Sequence, residues 1–343
     1  MEALRVQVLA EKGETSVPSQ YIQPPENRPQ RQNPNPNANA NANVKGVIPV
    51  IDLSSRTNNL LDELKKACKE WGAFQVINHR VPIGLLDDMR RVGRTFFEER
   101  SMEEKLRYSC DSASPASEGY GSRMLVASND TVLDWRDYFD HHTLPLSRRD
   151  PSNWLECPAD YRKVVAEYSE HMKALAQELL GLVSDSLGLT CQCIENVVGE
   201  FYQNITISYY PPCPQPELTL GLQSHSDMGA ITLLIQDDVG GLEVFNNGEW
   251  VTVNPMSNAI CVILADQTEI ITNGEYRSAQ HRAVTNAGRA RLSVATFHDP
   301  AKTRQISPAF HPPKYRPVIY GDYVSSWYTK GPEGKRNLDA LLI

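Results

Sequence analysis

The 343-residue sequence has no apolar run near bilayer-spanning length and no block of basic residues. The first absence argues against a membrane-spanning helix, which needs about 20 consecutive apolar residues. The second, with a net charge of −8, argues against anionic partners such as nucleic acid and membrane surfaces. Cysteine is sparse and scattered, at Cys68, Cys110, Cys157, Cys191, Cys193, Cys213 and Cys261. An odd, dispersed set is not a disulfide framework, and no two form a C-x-x-C pair. The start, Met1-Glu2-Ala3-Leu4-Arg5, lacks the charged and then apolar stretches of a secretory signal. The expectation is a cytoplasmic protein that works as a monomer on a small molecule. Hydrophobic content of 41% and charged content of 22% suit a large globular core.

Residues 1–46 read as an extension: a short apolar pattern in Glu2–Glu11, then a proline-rich stretch ending in the tract Asn37–Asn43, a flexible linker. Residues 47–200 read as mainly helical. Val47–Leu53 is β-rich with Pro49, which suits an edge strand. Leu60, Leu64, Cys68 and Trp71 recur at helical spacing before Gly72, and Ala73–Asn78 is the next strand. Pro82 opens a helix with an apolar face of Leu85, Leu86, Met89, Val92, Phe96 and Phe97. His79, isolated after a strand, reads as structural or exposed rather than as a ligand. Ser109–Ser122 reads as a loop, Asp134–His142 as a strand and Pro158–Leu187 as a long helix.

From residue 201 the period changes. Short β-rich runs are expected at Ile205–Tyr210, Ile231–Ile235, Leu242–Phe245, Trp250–Val253, Ala259–Leu264, Glu269–Thr272, Ala283–Thr285 and Leu292–Phe297. Glycine and asparagine turns separate many of them. This pattern describes a mostly β fold with flanking helices, an antiparallel sandwich of the jelly-roll type over 201–343. Tyr320–Leu342 is a candidate terminal helix, interrupted at Gly331-Pro332.

The chemistry is concentrated in this β-rich block. His225 and Asp227 lie two apart, so on extended chain they share a face. His281 follows 56 positions later, where a sandwich can return it. Two imidazoles and a carboxylate on one face of an octahedral ion leave sites open for a co-substrate and dioxygen, the pattern of a non-haem Fe(II) oxygenase. No cysteine joins them, which weighs against structural zinc. Arg291 and Ser293 also share a face, and a guanidinium with a hydroxyl suits a carboxylate. Tyr210 offers a phenol to the same anion.

The stretch Ser208-Tyr209-Tyr210-Pro211-Pro212-Cys213-Pro214-Gln215-Pro216, with His225-Ser226-Asp227, Asn273-Gly274, His281-Arg282 and Arg291-Leu292-Ser293, resembles the plant 2-oxoglutarate- and Fe(II)-dependent dioxygenases of specialised metabolism and hormone turnover. Ile48–Leu53 and Trp71–His79 resemble the N-terminal region of that family. The resemblance implies a double-stranded β-helix and assigns His225, Asp227 and His281 to iron. It also places Arg291, Ser293 and Tyr210 on 2-oxoglutarate. It implies dioxygen as oxidant, ascorbate in support, and release of succinate and carbon dioxide as a small plant metabolite is hydroxylated, desaturated or dealkylated. Asp227 disfavours halogenation, because related halogenases lack that carboxylate.

Two departures bear on the substrate. Ser208 stands where the family usually has asparagine. The strand Asn204-Ile205-Thr206-Ile207 lacks the lysine of flavonoid-oxidising relatives and the arginine of jasmonate-oxidising ones, which favours a neutral or amine-bearing substrate. Candidate substrate contacts are Tyr138, Asp140, Thr206, Met228, Phe297 and Asp299, set against ordinary core packing for the apolar ones and surface or turn carboxylates for the acidic ones. Alternative readings are a catalytically silent ligand sensor on the same fold, a jasmonate-type hormone oxidase, and a zinc-dependent hydrolase.

Overall fold

The computed structural model describes residues 5–29, 46–54, 58–111, 118–122, 132–330 and 337–343. The Asn37–Asn43 tract and Gly331-Pro332 lie outside them. In chain order the first elements are α1 (Val6–Glu11), β1 (Val50–Asp52), α2 (Asn58–Glu70), β2 (Ala73–Ile77), α3 (Ile83–Arg94), α4 (Met102–Leu106), β3 (Gly119–Gly121), β4 (Asp137–Leu144), α5 (Tyr161–Ser186) and α6 (Cys193–Val198). Then come β5 (Tyr202–Tyr210), β6 (Leu222–His225), β7 (Ile231–Gln236), β8 (Leu242–Asn246), β9 (Glu249–Thr252), β10 (Ile260–Leu264), α7 (Asp266–Ile271), β11 (His281–Ala283), β12 (Arg291–Asp299) and α8 (Tyr320–Lys330). No helix among the described residues is long and apolar enough to cross a membrane.

Two sheets face each other. The larger runs β1-β2-β10-β7-β12-β5-β4-β3 and the smaller β6-β11-β8-β9. Strand alternation gives the large sheet two different faces. Ile205, Ile207, Tyr209, Leu292, Val294, Ile231 and Leu233 turn outward and pack in one core with Val165, Tyr168, Met172 and Leu179 of α5 and Met89 of α3. Leu234, Cys261 and Ile263 turn inward onto Leu242, Val244, Val251 and Val253 of the smaller sheet. This is the jelly-roll core with flanking helices. Its central strands are covered on both faces, which is why β7 reads as a continuous rather than alternating apolar run.

The N-terminal strands follow the expected positions. β1, next to Pro49, is an edge strand paired in parallel with β2, and β2 pairs antiparallel with β10. Gly72 ends α2 with φ of +67°, and a Cβ there would meet the Arg277 carbonyl oxygen at 2.3 Å. Gly72→Ala is therefore expected to lower stability by about 2 kcal/mol or more in urea unfolding. An unchanged midpoint would show that this turn relaxes freely. His79 is buried and accepts a hydrogen bond from the Val81 N–H, a structural role. The loop expected over Ser109–Ser122 contains β3 at its end, while residues 112–117 lie outside the described set.

The strand expected over Glu269–Thr272 is instead helix α7. The β-branched pair Ile270-Ile271 suggests a strand, but the neighbouring polar side chains decide the outcome. Gln267 donates to the Met228 carbonyl and Thr268 to that of Ala230, while Glu269 accepts from the Ser278 N–H and the Tyr315 hydroxyl. These bonds radiate in several directions, which a helical turn allows and a strand does not. They also brace the segment that follows Asp227.

Candidate metal centre

The site lies between the sheets, on the inner face. β6 ends at His225 and β11 begins at His281, and the two are paired directly in register. Their ring centroids are 4.3 Å apart. Asp227 follows just beyond β6, with Oδ1 3.6 Å from His225 Nε2 and 3.7 Å from His281 Nε2. All three ligand atoms fall within 4.8 Å of one another. An octahedral ion with bonds of about 2.1 Å holds adjacent donors about 3 Å apart, so the two imidazoles and the carboxylate are grouped closely enough to converge on one ion.

Backbone carbonyls fix both rings. His225 Nδ1 is 2.8 Å from the Gln223 oxygen, and His281 Nδ1 is 3.0 Å from that of Ala279. These bonds place the protons on Nδ1 and leave the Nε2 lone pairs facing Asp227. Thr232 Oγ1 donates to Asp227 Oδ2 at 2.6 Å, leaving Oδ1 toward the imidazoles. Burial opposes the Asp227 charge, but His281, His225 and Thr232 outweigh it and hold the carboxyl at about 2. Burial also pushes His281 down to about 4, favouring the neutral imidazole a metal requires. For His225, burial opposes protonation and Asp227 outweighs it, so its pKa is raised until a cation replaces the proton.

The carboxylate clamp lies farther along the same inner face. β12 sets Arg291 opposite Tyr210 and Ser293 opposite Ser208 on β5. Arg291 is 2% exposed. Its guanidinium lies 4.7 Å from the Tyr210 ring centroid and donates to Ser293 Oγ at 3.2 Å and Gln236 Oε1 at 3.3 Å. Its Nε has no partner among the described residues, and both side-chain acceptors are neutral. A buried cation with only neutral acceptors calls for an anion. Burial opposes ionisation of Tyr210, yet Arg291 and Arg136 outweigh it and bring the phenol below its ordinary value. Thr232 pairs with Phe297, so the metal ligands sit about four strand residues from Ser293. Cluster and clamp thus share one inner face, as a dicarboxylate bound at both ends requires.

Beyond the clamp the inner face is only partly covered, and half-buried residues alternate with buried ones along its strands. On β4 these are Tyr138, Asp140 and His142; on β5 Tyr202, Asn204 and Thr206; on β12 Ala295, Phe297 and Asp299. Tyr138, Asp140, Thr206, Phe297 and Asp299 thus line one space, and Met228, half-buried, lies beside Asp227. Thr206 Oγ1 donates to Asp140 at 2.7 Å. His141 turns away to bond the Ile205 carbonyl and the Tyr161 hydroxyl, so His141 and His142 face opposite sides as strand geometry requires.

Four polar contacts were missed in the sequence. Thr232 and Gln236 share a face of β7 and reach Asp227 and Arg291; two polar residues at that spacing in an apolar strand were the available signal. The other two bring to β5 the cations that its own sequence lacks, Arg136 at its clamp end and Arg148 at the far end. Arg136, just before β4, donates to Ser208 Oγ at 3.3 Å. Arg148, in the turn after β4, donates to Asn204 Oδ1 at 3.0 Å and lies over the Tyr202 ring. Neither belongs to β5, so inspection of that strand alone cannot reveal them.

Residues 201–300 match the 2OG-Fe(II) oxygenase superfamily, and residues 48–158 match the non-haem dioxygenase in morphine synthesis N-terminal family. The chain is 38% identical to Jasmonate-induced oxygenase 1 of Arabidopsis thaliana, over 98% of this chain and 86% of that one. It is 37% identical to thebaine 6-O-demethylase of Papaver somniferum, over 100% of this chain and 97% of that protein. Among solved structures, JOX2 in complex with 2OG, Fe and JA superposes with a TM-score of 0.90 at 34% identity, covering 100% of this chain and 98% of that one.

Proposed function

The chain belongs to the 2OG-Fe(II) oxygenase superfamily, and from that premise we propose how its residues divide the work of a 2-oxoglutarate-dependent dioxygenase acting on a small plant specialised metabolite. Iron bound here supplies the coupling of dioxygen reduction to decarboxylation of 2-oxoglutarate and to hydroxylation, desaturation or dealkylation of the substrate. His225, Asp227 and His281 hold the iron. The Gln223 and Ala279 carbonyls aim the imidazoles, and Thr232 aims the carboxylate. Arg291 and Ser293 receive the distal carboxylate of 2-oxoglutarate, and Tyr210 assists. Tyr138, Asp140, Thr206, Met228, Phe297 and Asp299 form the substrate wall.

The observation that carries this reading is the buried Arg291 guanidinium, held among neutral acceptors on the same inner face as the His–Asp–His cluster. Residues 47–200 and 201–343 act as parts of one catalytic unit, with 1–46 as an extension. The net charge of −8 and the dispersed cysteines support a cytoplasmic monomer that binds neither nucleic acid nor membrane.

The test is anaerobic titration of iron-loaded protein with 2-oxoglutarate, read by visible absorbance, followed by succinate measurement with alkaloids, flavonoids, terpenoids and hormones in air. Saturable 2-oxoglutarate binding and substrate-stimulated succinate are expected. Absence of both would sink the assignment of these residues. The similarity to Jasmonate-induced oxygenase 1 and JOX2 supports a second reading, oxidation of a jasmonate-type carboxylate hormone, so jasmonic acid belongs in the panel.

A further inference from the structure

The inner face of the large sheet changes sign along its length. The clamp end carries two guanidiniums, Arg291 and Arg136, both buried, on either side of Tyr210. The opposite end is acidic. Asp140 faces inward from β4, and Asp299 lies at the end of β12. Asp299 is seated by a glycine: a Cβ on Gly229 would lie 1.9 Å from Asp299 Oδ1. Gly229 is two residues past Asp227, so this carboxylate borders the loop that carries the metal ligand. The Tyr320 hydroxyl, at the start of α8, also bonds Asp299.

Arg148 is the cation within electrostatic reach of these groups, and it is outnumbered. Asp140, Asp299 and Glu118 all act on it. Its guanidinium donates to a neutral amide, that of Asn204. His142 adds no charge, since burial and Arg148 push its pKa down to about 3. Lys302 acts on His142 from an exposed position. An anionic substrate group approaching Arg148 would therefore meet Glu118 and two aspartates whose carboxyls burial pushes up to about 7, whereas an adjacent cation would draw both aspartates into the charged form. A cationic group would meet a deficit of positive charge in a partly desolvated space, where charge matching is strong. Burial pushes the Asp140 carboxyl up to about 7 although Thr206 and Arg148 oppose the shift, in keeping with a charge that lacks a full counterpart.

We propose that the substrate carries a protonated amine, held at the acidic end of this face by Asp140 and Asp299 while the dianionic co-substrate occupies the cationic end. This rests on the oxygenase reading above and narrows its substrate class. Asp140 is level with Ala295 and Asp299 lies past Phe297, the partner of Thr232, so the two carboxylates bracket the level of the metal ligands; an amine held there orients the substrate, and the carbon presented for oxidation is set by its distance from the nitrogen.

The test uses iron- and 2-oxoglutarate-loaded protein without oxygen and probes of three charges: thebaine and tropine as tertiary amines, naringenin as a neutral compound, jasmonic acid as an anion. At least one amine is expected to bind at least tenfold more tightly than the other two. Asp140→Asn and Asp299→Asn should each weaken amine binding at least tenfold while the 2-oxoglutarate absorbance titration is retained. Tighter binding of naringenin or jasmonic acid, failure of both amines to bind, or amine affinity unchanged in both variants would overturn the proposal. A ligand-free measurement gives an independent check. Asp140→Asn should raise the melting temperature by relieving an incompletely matched buried charge, whereas a fall would assign Asp140 a structural role and overturn its part in recognition. If wild-type protein fails to bind 2-oxoglutarate, the oxygenase assignment of the site falls; intact 2-oxoglutarate binding without amine preference removes only this inference.

Discussion

Asp227→Ala is expected to strip iron from the protein and to reduce succinate formation by more than about 100-fold, beyond the 10- to 100-fold effects typical of residues that only orient a metal ligand. The variant loses the single anionic donor of the cluster, leaving two imidazoles that bind a divalent ion weakly. The Thr232 hydroxyl that aimed the carboxylate is left without its acceptor. His225 also loses the neighbour that raises its pKa, so its proton leaves more readily, but no charge remains to balance the metal. Metal analysis after gel filtration separates the outcomes. Retention of one iron per chain at wild-type affinity would remove Asp227 from the site.

Arg291→Ala is expected to raise the KM for 2-oxoglutarate by about 10- to 100-fold, the range for charge-assisted hydrogen bonds at about 1.5–3 kcal/mol. Iron content should be unchanged, because Arg291 stands six residues along β12 from Phe297, the partner of Thr232, and bonds none of the metal ligands. Arg291→Lys should recover only part of the loss, since an ammonium cannot reproduce the planar fork that bonds Ser293 and Gln236 while facing a carboxylate. Steady-state kinetics with 2-oxoglutarate varied at saturating substrate checks both variants. An unchanged KM in Arg291→Ala would show that the dicarboxylate is anchored elsewhere.

The metal cluster was legible because its geometry is nearly local. His225 and Asp227 need only extended chain to share a side, and Arg291 with Ser293 needs only one strand. The return of His281 required a closed β architecture, and the turn-separated apolar runs supplied that expectation. Supporting contacts were less legible because they join different elements. Arg148 reaches β5 from the turn after β4, and Arg136 meets Ser208 across a strand pair. Register, which no single-strand pattern reveals, created both contacts. The same limit hid where α1 docks, not the helix itself: its Val6 and Gln7 N–H groups donate to the buried Asp137 carboxylate more than a hundred residues away. At α7, β-branched residues suggested a strand while side-chain bonds to three separate segments favoured a helical turn.

The order of strands in the large sheet also has a consequence in time. β2 lies between β1 and β10, yet Ile77 and Ile260 are 183 positions apart. On a ribosome adding about 5–20 residues per second, β2 waits on the order of ten seconds or more for that antiparallel neighbour. In that interval Phe74 and Val76, both fully buried in the finished protein, depend on α2, α3 and cellular holdases for cover. The centre that joins co-substrate to substrate therefore matures late, when the last-made strands, β10 and β12, enter the interior of a sheet whose two edges, β1 and β3, were synthesised early.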